Sequence, residues 1–215
     1  MAAEQGLRGR DSEDEAVYAL TVDRRASRED PESLAMLEHR DRFEVTFPRP
    51  LLGWQISAGD ELQALYESPD KVLTVVLALA DEGEWHVGLG IGPVDTPLPD
   101  NVNEATGPAF VAAREAVSAS KDSGYPAARG SEWASHAEAV LTLACAVRER
   151  RTDTAREATD LAEQGFTQQR IAQELNIAQS SVSRRLSSAL WNQERAVHPA
   201  IRSFLEMADE QPEGP

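Results

Sequence analysis

Apolar positions in the first half of the chain alternate between strand-like and helix-like spacing, and the switches between them predict its elements. Ala16 to Val22 is a short apolar run closed by Asp23, the signature of a buried strand. Asp30 and Pro31 open a helix running to about Phe47, with Asp as cap, Pro in the first turn, and Leu34, Leu37 and Phe43 facing inward. Pro48 and Pro50 end it. Leu52–Ser57 and Glu61–Tyr66 read as two strands joined through Ala58-Gly59-Asp60, a hairpin signal. Ser68-Pro69-Asp70 starts a second helix that buries Val72, Leu73, Val76, Leu77 and Ala80. Glu84–Gly92 is a fourth strand, in which Gly88, Gly90 and Gly92 alternate and leave one face without side chains. A helix from Pro108 to about Ser120 follows, then a loop from Lys121 to Gly130.

That order predicts an α+β fold: an N-terminal βαββαβ ferredoxin-like or palm sheet with helices on one face, followed by an all-α part. Ser131 to Arg150 is one long alanine-rich helix, and Thr154 to Gln164 is another, closed by Gly165. Thr167 then caps a short helix whose inner face is Ile171, Ala172 and Leu175. Asn176 sits where the chain must turn sharply, Ile177 plugs the corner, and a second helix is expected to bury Val182, Leu186 and Leu190. Its other face carries Gln179, Ser180, Ser181, Ser183, Arg184 and Arg185. Short hydrogen-bonding groups at the leading end, with guanidiniums one turn later, suit a helix entering the major groove of double-stranded DNA. The stretch Thr167–Leu186 resembles helix-turn-helix regulators of the MarR-like and sigma-region-4-like kind and the DNA-binding tails of resolvases. Such motifs place Ser or Thr where Ala178 stands, a cap worth about 1 kcal/mol. Ser180, Ser181 and Arg184 are the candidates for base contact. Gln179, Ser183, Arg185, Thr167, Gln168 and Arg170 would position the helix on the duplex. Beyond the motif, Val197, Ile201, Phe204, Leu205 and Ala208 recur at helical spacing behind His198-Pro199, a stripe to pack on the module or pair two protomers.

Charge sharpens this picture. The 215-residue chain carries a net −16, but unevenly: residues 1–150 hold 14 basic and 27 acidic side chains, whereas 151–200 hold 6 of each. A neutral DNA module makes few phosphate contacts, so useful affinity needs a homodimer or higher homo-oligomer. The one cysteine, Cys145, lies in an apolar helical run and excludes an internal disulfide framework. No apolar run is long enough to span a bilayer and the polar N-terminus offers no signal-peptide core, so no membrane partner and a cytoplasmic location are expected. His39, His86, His136 and His198 show no metal-ligand spacing, the four tryptophans suit core or interface, and Arg148-Glu-Arg-Arg151 reads as a solvated helix end between the two parts.

Four fragments of the first part carry a second resemblance: Asp23-Arg-Arg-Ala-Ser27-Arg28, Gly59-Asp60-Glu61-Leu-Gln63, Gly90-Ile-Gly92, and Gly107-Pro-Ala-Phe-Val-Ala-Ala-Arg114. In that order they resemble the SatD family and, more distantly, class III nucleotidyl cyclases. The resemblance implies Asp23 and Asp60 as ligands of Mg²⁺ beside Glu61. It implies Ser27, Arg28 and Arg114 as contacts for a nucleotide or other small ligand, with Gly90 and Gly92 leaving it room. The residues themselves leave another reading open, in which Asp60 is a turn residue and Asp23 a strand end neutralised by Arg24 or Arg25, and the palm is not an enzyme.

The expected organisation is a tail (1–15), a SatD-like palm domain (16–130), a connecting helix (131–150), a helix-turn-helix domain with a C-terminal helix (151–209) and a second tail (210–215). The expected function is sequence-specific DNA binding by a bacterial transcriptional regulator, with a ligand-sensing or oligomerising palm. A metal-dependent nucleotide-handling enzyme and a protein-interaction scaffold are the alternatives.

Overall fold

The computed structural model describes residues 17–25, 33–57 and 59–210. The expected tail at 1–15, residues 211–215 of the expected tail at 210–215, the helix start at Asp30-Pro31, Ser27 and Arg28, and the side chain of Leu34 lie outside the described residues, whereas Glu210 ends the last helix. The described part is mixed α+β, with a five-stranded sheet and eight α-helices.

The strands are β1 (Val17–Arg24), β2 (Leu52–Ile56), β3 (Glu61–Tyr66), β4 (Trp85–Gly92) and β5 (Ala127–Arg129), and they lie in the order β2-β3-β1-β4-β5. β1 runs antiparallel to both β3 and β4, β2 antiparallel to β3, and β5 parallel to β4. Helices α1 (Ser33–Thr46), α2 (Pro69–Glu82) and α3 (Pro108–Ser123) connect them. α2 is bounded as its sequence requires: the Ser68 hydroxyl accepts from Lys71 N at 3.4 Å, Pro69 opens the first turn, and Gly83 leaves at φ +70°.

The sheet is covered on both faces, which corrects the expectation of helices on one. Tyr18, Leu20 and Val22 point into a core shared with α1 and α2, whereas Val17 and Ala19 point the other way, against Ala109 and Ala113 of α3. The alternating glycines make this possible. A Cβ on Gly90 would overlap the Ala109 carbonyl and the Ala113 backbone nitrogen, and one on Gly88 would overlap Val117 N. The bare face of β4 is therefore filled by a helix backbone at Gly88 and Gly90, and Gly90 leaves no room for a ligand, whereas a Cβ on Gly92 would make only ordinary contact with Pro108 and Ala109. The larger core holds an aromatic cluster in which Phe43 meets Trp54 and Trp85 at centroid distances of 5.0 and 5.2 Å. Each such pair adds about 0.5–1.5 kcal/mol to the burial itself.

Beyond α3 the chain departs from expectation twice. The segment read as a loop contains β5, an edge strand that extends the sheet beside β4. The final helix, α8 (Trp191–Glu210), starts well before His198 and runs through Pro199. It packs along α4 (Glu132–Glu149), and Ile201, Leu205 and Ala208 join the core of the sheet, where the Tyr18 hydroxyl donates to the Leu205 carbonyl at 3.3 Å. The C-terminal half of α8 thus belongs to the sheet unit, not to the helix-turn-helix unit assigned to 151–209. Cys145 is buried in α4, and burial pushes its thiol up to about 12. No helix among the described residues is long and apolar enough to cross a membrane.

Candidate nucleic-acid interface

Three helices, α5 (Asp153–Glu163), α6 (Gln168–Glu174) and α7 (Gln179–Ser188), pack around Ala158, Ile171, Val182 and Leu186. One residue sets each joint. Thr152 and Thr167 cap α5 and α6, their hydroxyls accepting from Ala155 N at 3.3 Å and Arg170 N at 3.2 Å. Gly165 takes φ +82° at the end of α5. Asn176 takes φ +51°, one of the few non-glycine types that adopt this turn readily, and Ile177 N–H then donates to the Ala172 carbonyl at 3.0 Å. Ile177 packs half-buried into the corner. Ala178 has the extended backbone of an N-cap but offers no side-chain acceptor to the free N–H groups of α7.

Val182 and Leu186 are buried as expected, but Leu190 is 45% exposed. α7 ends at Ser188 and Leu190 takes φ +51°, so the four-residue spacing no longer carries it inward; Ala189 is buried instead. Gln179, Ser180, Ser183 and Arg184 are exposed on the outward face of α7, and Thr167, Gln168 and Arg170 are exposed on α6. Arg170 pairs with Glu174 at 2.5 Å. Ser181 is half-buried and accepts from Arg184 Nη2 at 3.2 Å; Arg184 makes no ion pair among the described residues. Arg185 points elsewhere: its Nη1 donates to the Thr154 carbonyl and Glu157 Oε2, both at 3.0 Å, and holds α7 against α5. The ten residues of α7 span about 15 Å, enough to lie in a major groove roughly 12 Å wide.

The second candidate site lies where β1 meets β3. Asp23 and Glu61 are partners across that ladder, with Asp60 in the preceding turn. Asp23 is buried, and Lys121 of α3 places its Nζ 2.5 Å from Asp23 Oδ2. Lys121, which no motif or spacing singles out, is therefore the neutralising cation. Arg25 turns away, donating to the carbonyls of Trp85 and Gly124 at 3.1 and 2.5 Å. Burial pushes the Glu61 carboxyl up against the opposing pull of Lys121. On the next rung Gln63 Nε2 donates to Thr21 Oγ1 at 3.2 Å. Mg²⁺ wants hard anionic oxygens and several waters around it. Asp23 is already engaged with the Lys121 ammonium, so these residues do not offer the set of free anionic oxygens a metal needs. No group of three or more His, Cys, Asp or Glu is gathered for one among the described residues. Arg114 lies nearby on an open cavity of about 440 Å³ with Gln63, Asn103 and Phe110.

Between the two sites is a buried ionic cluster. Arg148 is not the solvated helix end its sequence suggests. Its guanidinium engages Asp81 of α2, Glu163 of α5 at 2.8 Å and Glu194 of α8 at 2.8 Å. Arg151 also reaches Glu194, at 3.2 Å, and the Ala189 carbonyl, and His198 Nε2 lies 2.5 Å from Glu194 Oε1. Spacing within the sequence hints only at the last pair, four residues apart on one helix.

The chain matches no family model, no curated protein and no solved structure.

Proposed function

We propose that this protein is a sequence-specific DNA-binding protein of the cytoplasm, acting as a bacterial transcriptional regulator. In this reading α5–α7 form the helix-turn-helix and α7 enters the major groove. The βαββαβ sheet is a SatD-like, ferredoxin-like palm that serves for sensing or self-association, not catalysis.

One observation carries the reading. Arg184 and Ser180 stand on the outward face of a short helix that follows a left-handed Asn176 turn, and Arg184 has only a hydroxyl as its partner. Four other arginines of the module are drawn into ion pairs or carbonyls, Arg151 with Glu194, Arg156 with the Arg151 and Glu149 carbonyls, Arg170 with Glu174 and Arg185 with Glu157, while Arg195 on α8 lies over the Trp191 ring, off the α7 face. An unpaired guanidinium beside hydroxyls fits a bidentate contact to guanine, worth about 1–3 kcal/mol of discrimination. With so few free cations the module binds phosphate weakly, so two copies on two half-sites are needed.

Selection of bound duplexes from a random pool, with wild type and Arg184→Ala side by side, tests this. An enriched two-half-site motif that is relaxed in the variant supports it. Equal absence of enrichment in both proteins at low salt overturns it.

A further inference from the structure

The cavity of about 440 Å³ between α3 and the β2–β3 hairpin falls within the size range of small-ligand sites, roughly 300–1,000 Å³. The hairpin supplies Gln63 to its wall, the 3₁₀ turn Val102–Glu104 supplies Asn103, and α3 supplies Phe110, Val111, Arg114 and Glu115. These walls are fixed. Asn103 Nδ2 donates to the Ile56 carbonyl at 2.8 Å, which ties the turn to β2. Thr106 Oγ1 donates to Asp95 Oδ2 at 2.6 Å, and the Gly107 backbone lies so close to Val94 that a Cβ there would overlap it. Gln63 is only 6% exposed, and its Nε2 donates to Thr21 Oγ1, so the amide is held in place while its Oε1 has no partner among the described residues. Arg114 and Glu115 are exposed on α3, and neither side chain makes an ion pair or hydrogen bond among the described residues.

We infer that this cavity binds a free α-amino acid with an apolar side chain. The lining selects the charge of the ligand. Its one guanidinium, Arg114, is followed by the Glu115 carboxylate, and Glu61 stands two positions before Gln63 on β3, so positive charge is not in surplus. A multiply charged anion such as a nucleotide meets a single arginine set against two carboxylates, and a simple amine meets that arginine. A zwitterion suits both signs. Its carboxylate takes the paired N–H donors of Arg114, and its ammonium draws on the free acceptors, Gln63 Oε1, Asn103 Oδ1 and the Glu115 carboxylate. The half-buried Phe110 and the 62%-exposed Val111 give its side chain an apolar surface to cover. This adds a ligand class to the sensing role proposed for the sheet unit. Any effect of the amino acid on duplex selection rests on the DNA-binding reading; the site does not.

Thermal unfolding of the full chain tests the inference, with each L-amino acid in turn at about 10 mM, followed by titration calorimetry of those that raise the midpoint. At least one of L-valine, L-leucine, L-isoleucine, L-methionine and L-phenylalanine should raise it. Analogues of that amino acid lacking one charge should not: 4-methylpentanoate and isoamylamine for leucine, or 3-phenylpropanoate and phenethylamine for phenylalanine. Adenosine monophosphate should not either. Arg114→Gln, at an exposed position, should keep the wild-type circular dichroism and bind the amino acid roughly tenfold or more weakly. Arg195→Gln, on α8, should bind it as wild type does. The inference is overturned if no L-amino acid raises the midpoint, or if the deaminated analogue binds as well as the amino acid. A response to adenosine monophosphate alone, or amino-acid binding that Arg114→Gln leaves unchanged, overturns it too. Duplex selection is read separately: if the amino acid binds and no duplex is selected, the DNA reading fails while the site stands.

Discussion

Arg148 near the end of α4 and Glu194 in the first turn of α8 face each other in the interior, Nε to Oε1 at 2.8 Å, with side-chain exposures of 4% and 0%. The same guanidinium reaches α2 and α5, so one cation ties the sheet unit to the helix-turn-helix. Removing one member of a buried pair leaves the other desolvated and unpaid, at about 3–5 kcal/mol, whereas replacing both with apolar groups can be nearly neutral. Arg148→Met should lower the unfolding free energy by about 3 kcal/mol, the lower end because Glu194 keeps Arg151 and His198, and adding Glu194→Leu should not recover it, since the buried Arg151 then loses its carboxylate. A urea-unfolding double-mutant cycle measures the coupling.

Glu194 also fixes an acid limit on stability. Burial pushes its carboxyl up, but hydrogen bonds from His198 and Arg148, together with the Arg148 charge, more than reverse this and hold it down to about 2. Below the ordinary glutamate value, near 4.5, the unfolded chain binds a proton that the folded chain still refuses. This contribution is complete above that value and is lost as pH falls toward 2, on the order of 3 kcal/mol in all. Unfolding free energy measured between pH 6 and 2 should fall steeply in wild type, and Glu194→Gln should show a lower plateau with a shallower acid limb.

Gly90 separates a packing role from a ligand role. Its missing Cβ is the space in which the α3 backbone lies. Gly90→Ala must push α3 off the sheet and should cost about 3 kcal/mol or more, at the upper end for overpacking, as read by thermal unfolding. A variant as stable as wild type would refute this close approach.

Much of this fold is legible in the sequence because local chemistry and tertiary packing agree there. The hairpin strands, the Ser68 and Thr167 caps and the left-handed Asn176 each follow from residue type, and the structure places them as the sequence predicts. The failures share a cause: the deciding partner is distant along the chain. Ala127–Arg129 has no β-branched residue and becomes a strand only because β4 offers an open edge. Alternating glycines look like an empty face until α3 is seen filling it. Pro199 usually argues for a helix start, yet burial of Ile201, Leu205 and Ala208 on one side and Glu194 and His198 on the preceding turns holds α8 continuous. Lys121 lies 98 positions from Asp23, beyond any pattern that links them.

Ala178 is a position where the sequence is poorer than its backbone allows. It sits at φ −68°, ψ 144°, the geometry in which a hydroxyl reaches the N–H groups two or three residues on, and it supplies none. Ala178→Ser should stabilise the helix-turn-helix by about 1 kcal/mol, seen as a raised thermal midpoint. No gain would mean that those N–H groups are already well satisfied by water.

Two neighbouring arginines on α7 should behave oppositely. Arg185 donates to Thr154 and Glu157 and joins α7 to α5, so Arg185→Ala should cost about 1 kcal/mol of stability, the worth of such partly exposed hydrogen bonds. Arg184 touches only the Ser181 hydroxyl and points away from the core, so Arg184→Ala should leave the thermal midpoint unchanged. Under the DNA-binding proposal it is Arg184→Ala that relaxes duplex selection at one base pair of each half-site. Arg185→Ala should keep the selected sequence while the module melts earlier. If Arg185→Ala alters the selected bases at a temperature where it is fully folded, Arg185 must leave α5 on binding, and the division of labour between the two arginines is wrong.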